Sequence, residues 1–257
     1  MIHPSAIVHP NANVHKSADI GPLCIVGEHV TVGARATLLG HVVVTGRTTI
    51  GEDVIIHPFA TIGAPSQDRK AESGELAYTT IGARTIIREY VSIHRGTADS
   101  GGVTSVGEDC LILAYGHVAH NCRVGNDVTM SNLAQLAGHV VVEDHASIGA
   151  MAGVHQFVRI GTYAFVGGYT KLSRDLPPYF LADGNPAQVL GPNLVGLRRA
   201  GFSREAIAEL KTAYATIYKS GTTLSRAIAS LRETVQSDEA RTLLAFLEAG
   251  SDRGILK

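Results

Sequence analysis

The sequence predicts a mainly β protein: a parallel β-helix built from six-residue repeats, followed by a C-terminal α-helical domain. Three observations predict it. An aliphatic residue recurs at every sixth position through most of residues 1–190. The position four residues after each such anchor carries a small or β-branched side chain, and the position directly after it is often Gly. Beyond Pro177 and Pro178 the apolar spacing becomes that of helices.

The six-residue period matches short strands joined by tight turns, each strand sending one large and one small side chain inward. Three strands then close a coil of about 18 residues, and coils stacked about 4.8 Å apart make a rod of roughly 40 Å. A β-sandwich is the weaker alternative, because sandwiches do not hold an unbroken period of six. The 26 anchors are Ile2, Val8, Val14, Ile20, Val26, Val32, Leu38, Val44, Ile50, Ile56, Ile62, Ile81, Ile87, Ile93, Val106, Ile112, Val118, Val124, Met130, Leu136, Val142, Ile148, Val154, Ile160, Val166 and Leu172.

Two breaks in the period predict loops that leave the rod, at residues 68–80 and 99–105. The first is rich in charge, which is typical of a solvated loop and equally of a flap that reaches a substrate. The rod domain is expected over residues 1–190 and the helical domain over 191–257. Three helices are expected in that domain: one from Ser203 to Gly221, one through Leu224 and Val235, and one that ends at Gly250.

Charge and cysteine content limit the classes of function. The formal net charge is -1, so no global basic field indicates nucleic-acid binding. Three cysteines, Cys24, Cys110 and Cys122, fall at small inward positions, and an odd, sparse count is typical of a reducing compartment. Neither a signal peptide nor a membrane span is apparent, so we expect a cytoplasmic protein.

Histidines between the anchors mark the candidate reaction centre. The stretch from Ile112 to Val158 contains His117, His120, His139, His145 and His155. His120 and His139 are 19 residues apart, one coil plus one residue, so their side chains are expected to lie together on adjacent coils. His145 is expected to be structural.

Ordered motifs across the whole chain resemble one family of hexapeptide-repeat acyltransferases. IHRGT (93–97), GHVAHNC (116–122), LAGHV (136–140), VHQF (154–157), VGG (166–168) and GFSREAI (201–207) are similar to those of the UDP-N-acetylglucosamine O-acyltransferases. The resemblance implies a left-handed β-helix and a homotrimer with sites between neighbouring rods. It also implies transfer of a 3-hydroxyacyl chain from acyl carrier protein to the 3-hydroxyl of UDP-N-acetylglucosamine. That transfer is the first step of lipid A biosynthesis and needs no cofactor or metal.

The resemblance also implies a role for individual residues. His120 matches the general base, and the Gly138 N–H matches the donor to the oxyanion. The other matches are substrate contacts at His117, His139 and Gln156, flap contacts at Asp68 and Lys70, nucleotide contacts at Asn193, Arg198 and Arg199, and an acyl-chain pocket at Phe165 and Gly168 near residues 183–188.

Two departures from the family pattern stand out. The residue after the base is Asn121, where the family commonly has Asp. An amide carbonyl still orients the imidazole but adds no negative charge, so the rate profile is expected to have a lower or shallower acid limb. Val195 and Ala200 replace charged residues at the start of the helical tail, which shifts expected nucleotide binding toward Arg198 and Arg199.

Three alternatives stay open from sequence. A zinc hydratase like the γ-class carbonic anhydrases would recruit His117, His120 and His139 as ligands. A related transferase would use an amine acceptor, although the N-acyltransferase of the pathway carries an extra N-terminal domain and here the repeats start at Ile2. A structural scaffold without activity is the third. Acyl-chain length, and the choice between UDP-N-acetylglucosamine and a 3-amino analogue, are not fixed by these motifs.

Overall fold

The computed structural model describes residues 1–71, 76–98 and 101–257 and contains a parallel β-helix of three sheets. Strands pair parallel with the strand one coil away, as Ile7 with Ile25 and His117 with Gln135, which confirms the predicted coil of 18 residues. Each coil places one strand in each sheet, so the rod has three flat faces and three corners.

Counted over the described residues, here and for the other two sheets, sheet 1 has nine strands: β1 (Ile7–Val8), β4 (Ile25–Val26), β7 (Val43–Val44), β10 (Thr61–Ala64), β13 (Ser92–His94), β16 (His117–Val118), β19 (Gln135–Leu136), β22 (Gly153–Val154) and β25 (Lys171–Leu172). Sheet 2 has eight: β2 (Asn13–Val14), β5 (Thr31–Val32), β8 (Arg47–Ile50), β11 (Tyr78–Ile81), β14 (Val103–Val106), β17 (Arg123–Val124), β20 (Val141–Val142) and β23 (Arg159–Ile160). Sheet 3 has ten: β3 (Asp19–Ile20), β6 (Thr37–Leu38), β9 (Ile55–Ile56), β12 (Ile86–Ile87), β15 (Leu111–Ile112), β18 (Thr129–Met130), β21 (Ser147–Ile148), β24 (Phe165–Val166), β26 (Phe180–Asp183) and β27 (Gln188–Pro192).

The rod interior is built from the anchors and the small inward residues, as predicted. Anchors such as Ile56, Ile112 and Leu136 are fully buried, and so are Cys24, Cys110 and Cys122. Burial raises the pKa of all three thiols, that of Cys122 to about 12. The cysteines therefore act as core side chains and not as thiolate nucleophiles.

The predicted loop boundaries need correction. Tyr78–Thr80 and Val103–Ser105 were assigned to the loops 68–80 and 99–105, but they pair within β11 and β14. The alternating burial of these residues is typical of strands. The six-residue period, here called the hexad, did not identify them as strand residues because only Ile81 and Val106 fall on its anchors. Residues 72–75 and 99–100 of these loops lie outside the described residues.

The C-terminal domain contains four helices: α1 (Leu194–Arg199), α2 (Arg204–Tyr218), α3 (Leu224–Thr234) and α4 (Asp238–Ala249). Ser203, Thr223 and Ser237 cap the last three by accepting a backbone N–H, and Gly250 ends α4. The sequence did not predict α1 or the antiparallel pair β26–β27. Because β27 spans residues 188–192, the predicted boundary between 190 and 191 falls inside a strand.

An arginine of the last coils, held by a buried carboxylate of the rod, contacts the helical domain. Asp175 is completely buried and accepts hydrogen bonds from the backbone N–H and Nε of Arg159, the latter at 2.9 Å. The Arg159 guanidinium also donates to the Phe246 carbonyl and lies 4.1 Å from the centre of that ring, which belongs to α4. This contact fixes the helices relative to the rod.

Candidate active site

One corner of the rod, between sheets 1 and 2, gathers the histidines. Asn121, His139 and Phe157 occupy equivalent positions in three successive coils at this corner. We call the corner, formed by these three residues and their neighbours His120 and Gly138, the histidine corner. All three have positive φ, at 58°, 63° and 65°, because the tight turn between strands requires a left-handed residue. Backbone bonds lock the stack: the His139 N–H donates to His120 O, and the Phe157 N–H donates to Gly138 O.

The predicted pairing of His120 with His139 is present in the structure. Their ring centres are 5.0 Å apart and the rings meet edge to face. His139 in turn stacks on Phe157 at 4.4 Å. His120 is mostly buried, with 14% of its side chain exposed, so its orientation is set by the protein and not by solvent.

Contacts of Asn121 fix which nitrogen of His120 carries the proton. His120 Nδ1 lies 2.9 Å from Asn121 Oδ1. The backbone N–H of Thr97 also points at that atom, and an N–H only donates, so the atom is the amide oxygen. Because an oxygen acceptor requires a hydrogen on Nδ1, Nε2 of the neutral ring carries no hydrogen and its lone pair can accept a proton.

Gly138 keeps the space beside Nε2 open. A Cβ built on Gly138 would lie 2.6 Å from His120 Nε2, closer than real carbon atoms approach. The neighbouring N–H groups of Ala137 and His139 bond to Val154 O and His120 O. Within residues 1–71, 76–98 and 101–257, the Gly138 N–H has no acceptor, so it is available to a ligand.

Asp68 brings a carboxylate to the same space. Its Oδ2 lies 4.0 Å from His120 Nε2, and its Oδ1 accepts the Lys70 N–H, which holds the carboxylate in a tight turn. The Lys70 side chain is exposed on the same loop. Of the two predicted flap residues, the structure therefore brings Asp68 to His120.

A second histidine pair lies on sheet 1, next to the corner. His117 contacts the ring of His94 edge to face at 5.1 Å, and its Nδ1 lies 2.7 Å from Ser92 Oγ. Burial, with a smaller contribution from His94, lowers the pKa of His117 to about 4. Burial also lowers the pKa of His94. Both rings are neutral at pH 7 and act as hydrogen-bonding groups.

His94 lies within the IHRGT motif, but the sequence analysis does not predict a role for it. The hexad count carried the necessary signal, because Ile93 and Val118 are three anchors apart and share sheet 1. A groove of about 390 Å³ runs along this sheet beside His117 and is also lined by Gln135, Leu136, Ala137, Gly153, Val154, His155, Lys171 and Leu172.

Of the remaining predicted residues, Gln156 lies at the same corner, one coil after Gly138, and the others lie on sheet 3 or at the start of the helical domain. The exposed Gln156 accepts a hydrogen bond from Arg253 Nε through its carbonyl. Asn193 caps α1 by accepting the Gly196 N–H and donates to Tyr163 O, and Arg198 and Arg199 are exposed on the last turn of that helix. Phe165 lies on sheet 3, the face that does not meet the histidine corner, and the exposed Gly168 follows it.

The ligand arrangement that a zinc hydratase needs is not found in the described ranges. Nowhere among those residues do three His, Cys, Asp or Glu side chains converge so as to hold a metal ion. His117 instead pairs with His94 and Ser92, while His120 pairs with Asn121 and His139. The geometry therefore gives no support to a His117–His120–His139 metal site.

Comparisons with known proteins agree with the motifs. A family model described as UDP-N-acetylglucosamine O-acyltransferase, domain 2, matches residues 175–256. The acyl-[acyl-carrier-protein]–UDP-N-acetylglucosamine O-acyltransferase of Burkholderia orbicola is 47% identical over 213 residues, 81% of this chain and 80% of that relative. The protein of the same name from Alkalilimnicola ehrlichii is 49% identical over 199 residues, 77% of each chain. The chain belongs to this family.

Solved structures of UDP-N-acetylglucosamine O-acyltransferases extend the match to the complete fold. The Moraxella catarrhalis UDP-N-acetylglucosamine O-acyltransferase superposes with a TM-score of 0.96 at 39% identity, covering 100% of this chain and 99% of that one. These structures confirm the handedness that the resemblance implied and the helical domain that the apolar spacing predicted: the rod is a left-handed parallel β-helix. No helix in the described part of the chain has the length and apolar character needed to cross a membrane.

Proposed function

We propose that the chain transfers a 3-hydroxyacyl group from acyl carrier protein to the glucosamine 3-hydroxyl of UDP-N-acetylglucosamine, the first step of lipid A biosynthesis, with His120 as general base. Family membership supports the donor and the acceptor, because the relatives' names specify both. One observation carries the assignment of the base: the lone pair of His120 Nε2 faces the space that Gly138 keeps open.

The transfer follows from these groups. A sugar hydroxyl is a weak nucleophile at neutral pH, so Nε2 takes its proton as the oxygen attacks the thioester carbonyl carbon. The Gly138 N–H stabilises the negative charge on the carbonyl oxygen of the tetrahedral intermediate. When the C–S bond breaks, the Nε2 proton passes to the departing thiolate and the carrier leaves as a thiol.

The imidazolium that forms during attack has one neutral and one charged neighbour. On the Nδ1 side, the Asn121 amide orients the ring without adding charge. On the Nε2 side, the Asp68 carboxylate at 4.0 Å attracts the developing positive charge. Asp68 thus supplies part of the electrostatic support that a carboxylate at position 121 would provide.

The functional unit is a homotrimer in this proposal, with each site between two rods. Phe165, on sheet 3, cannot line a pocket at the histidine corner of its own chain, because sheet 3 is the one face that does not meet that corner. A neighbouring copy that presents its sheet 3 to the corner would bring the acyl pocket of Phe165 and Gly168 to His120. The nucleotide contacts at Asn193, Arg198 and Arg199, together with His117, His139, Gln156 and Lys70, complete substrate binding. Sedimentation should give about three times the 27.1 kDa chain mass.

The direct test is a transfer assay with the purified protein. A series of 3-hydroxyacyl and unhydroxylated acyl carrier protein thioesters is offered with UDP-N-acetylglucosamine or with its 3-amino analogue. We expect product with UDP-N-acetylglucosamine and a 3-hydroxyacyl donor. Transfer to the amino analogue alone would replace the proposed acceptor, and failure with every pair would overturn the function.

A further inference from the structure

Thr97 contacts the same Asn121 oxygen as His120 does, and the mechanism proposed for His120 gives it no role. It follows β13 in the IHRGT segment and is 5% exposed. Its hydroxyl donates to Asn121 Oδ1 at 2.8 Å and its N–H donates to the same oxygen at 3.0 Å. In return, Asn121 Nδ2 donates to the Thr97 carbonyl at 3.2 Å.

These three hydrogen bonds hold both ends of the Asn121 amide. Two donors from Thr97 fix the oxygen, and one acceptor fixes the NH2 group. Thr104 Oγ1 accepts the Asn121 backbone N–H at 2.8 Å and fixes the residue itself. The amide is therefore held in one of the two orientations that differ by exchange of oxygen and nitrogen.

The orientation matters because Asn and Asp differ in symmetry. Both oxygens of a carboxylate accept, so either one orients a Nδ1–H. An amide turned by 180° would present NH2 to Nδ1, which would place the ring proton on Nε2 and remove the base. A chain with Asn at position 121 thus needs a second residue that selects the amide orientation.

We propose that Thr97 is a positioning residue that selects the orientation of the Asn121 amide and, through it, the tautomer of His120. The inference rests on the proposed role of His120 as base. It predicts that the requirement for the Thr97 hydroxyl exists only while residue 121 is Asn. A merely structural role for Thr97 predicts the same loss whichever residue stands at 121.

The experiment is a four-protein comparison of Thr97→Val and Asn121→Asp, singly and combined with each other, against the unmodified chain. Val keeps the shape of Thr97 and its two backbone hydrogen bonds to the amide, and it removes only the hydroxyl donor. The comparison therefore measures the part of the orientation that the hydroxyl sets. We expect Thr97→Val to lower kcat at least about tenfold with little change in KM, since buried hydrogen bonds of this kind contribute about one factor of ten each. In the Asn121→Asp background the same change should cost less than about threefold. Thr97→Ser, which retains the hydroxyl, should restore activity.

Equal losses in both backgrounds, or full activity of Thr97→Val, would overturn the inference. Nitrogen-15 chemical shifts of the His120 ring provide an independent readout: the unmodified protein should show hydrogen on Nδ1, and Thr97→Val should show a mixture of tautomers. A single unchanged Nδ1–H tautomer in Thr97→Val would also contradict it. Failure of the proposed function is distinguishable, because His120→Ala would then remain active whatever Thr97 does.

Discussion

Asn121 gives His120 an orienting partner without charge. Changing Asn121 to Asp would add a carboxylate beside Nδ1 and stabilise the protonated imidazole, which cannot act as a base. We therefore expect the acid limb of the pH–kcat profile to move to higher pH in Asn121→Asp, with activity retained on the alkaline side. Steady-state rates between pH 5 and 9 measure this, and coincident profiles for the two proteins would contradict it.

Gly138 is required for space and not for backbone conformation, because only the clash with His120 Nε2 excludes a side chain there. Gly138→Ala should displace the His120 ring and lower kcat on the order of 100-fold, as expected for a base misplaced by about 1 Å. Thermal unfolding should be nearly unchanged. Gly27→Ala is the matched control, since its Cβ would meet nothing closer than 3.4 Å. Full activity of Gly138→Ala would refute this account of the glycine.

His117 links folding stability to pH. Its pKa is lowered from 6.5 to about 4 in the folded protein, so between these values the unfolded state binds the extra proton. Stability should fall as the pH drops from 6.5 to 4, by on the order of 2–3 kcal/mol from this residue. His117→Asn should flatten the pH dependence of the unfolding free energy, while His145→Asn, an exposed position, should not. Parallel curves for all three proteins would disprove the assignment.

Among the elements, the strands that follow the six-residue period were predictable, whereas α1 and the antiparallel pair β26–β27 were not. Each anchor is fixed by the need to fill a narrow interior, so a one-dimensional pattern carries the strand positions. The helix α1 has six residues and the pair β26–β27 has no hexad, so neither leaves a periodic signal. In the site, the His120–His139 contact followed from a count of residues. The clamp from Thr97 did not, because hydrogen-bond direction across a break in the repeat depends on the loop conformation.

The contact between the rod and the helical domain depends on the Asp175–Arg159 pair. Asp175→Ala would leave a partly buried guanidinium without its carboxylate, and such losses cost about 3 kcal/mol or more. We expect a clear drop in the denaturant midpoint of Asp175→Ala. Asp109→Ala breaks an exposed pair with Arg84 that is even shorter, at 2.7 Å, and should have little effect. Equal effects of the two substitutions would show that the buried pair does not hold the domain.

At the scale of the whole molecule, the rod acts as a rigid support that separates two sets of residues. The histidine corner carries the proposed base and the proposed oxyanion donor, whereas sheet 3 and α1 carry the predicted acyl and nucleotide contacts. The family was identified from motifs, and the handedness of the rod followed from the family. Specific residues at fixed spacing indicate a family, whereas the preference of residues for strands or helices does not. The assembly that would join the two sets could not be derived from the repeat, because exposed faces of different sheets have similar patterns.

The proposed role of His120 as general base of acyl transfer can be tested by comparing two alanine variants. His120→Ala and His145→Ala are assayed beside the unmodified protein with a 3-hydroxyacyl carrier protein and UDP-N-acetylglucosamine. We expect His120→Ala to lose about 10²- to 10⁴-fold in kcat while keeping its fold and assembly mass, and His145→Ala to remain within about twofold. Transfer by His120→Ala at the unmodified rate would contradict the account.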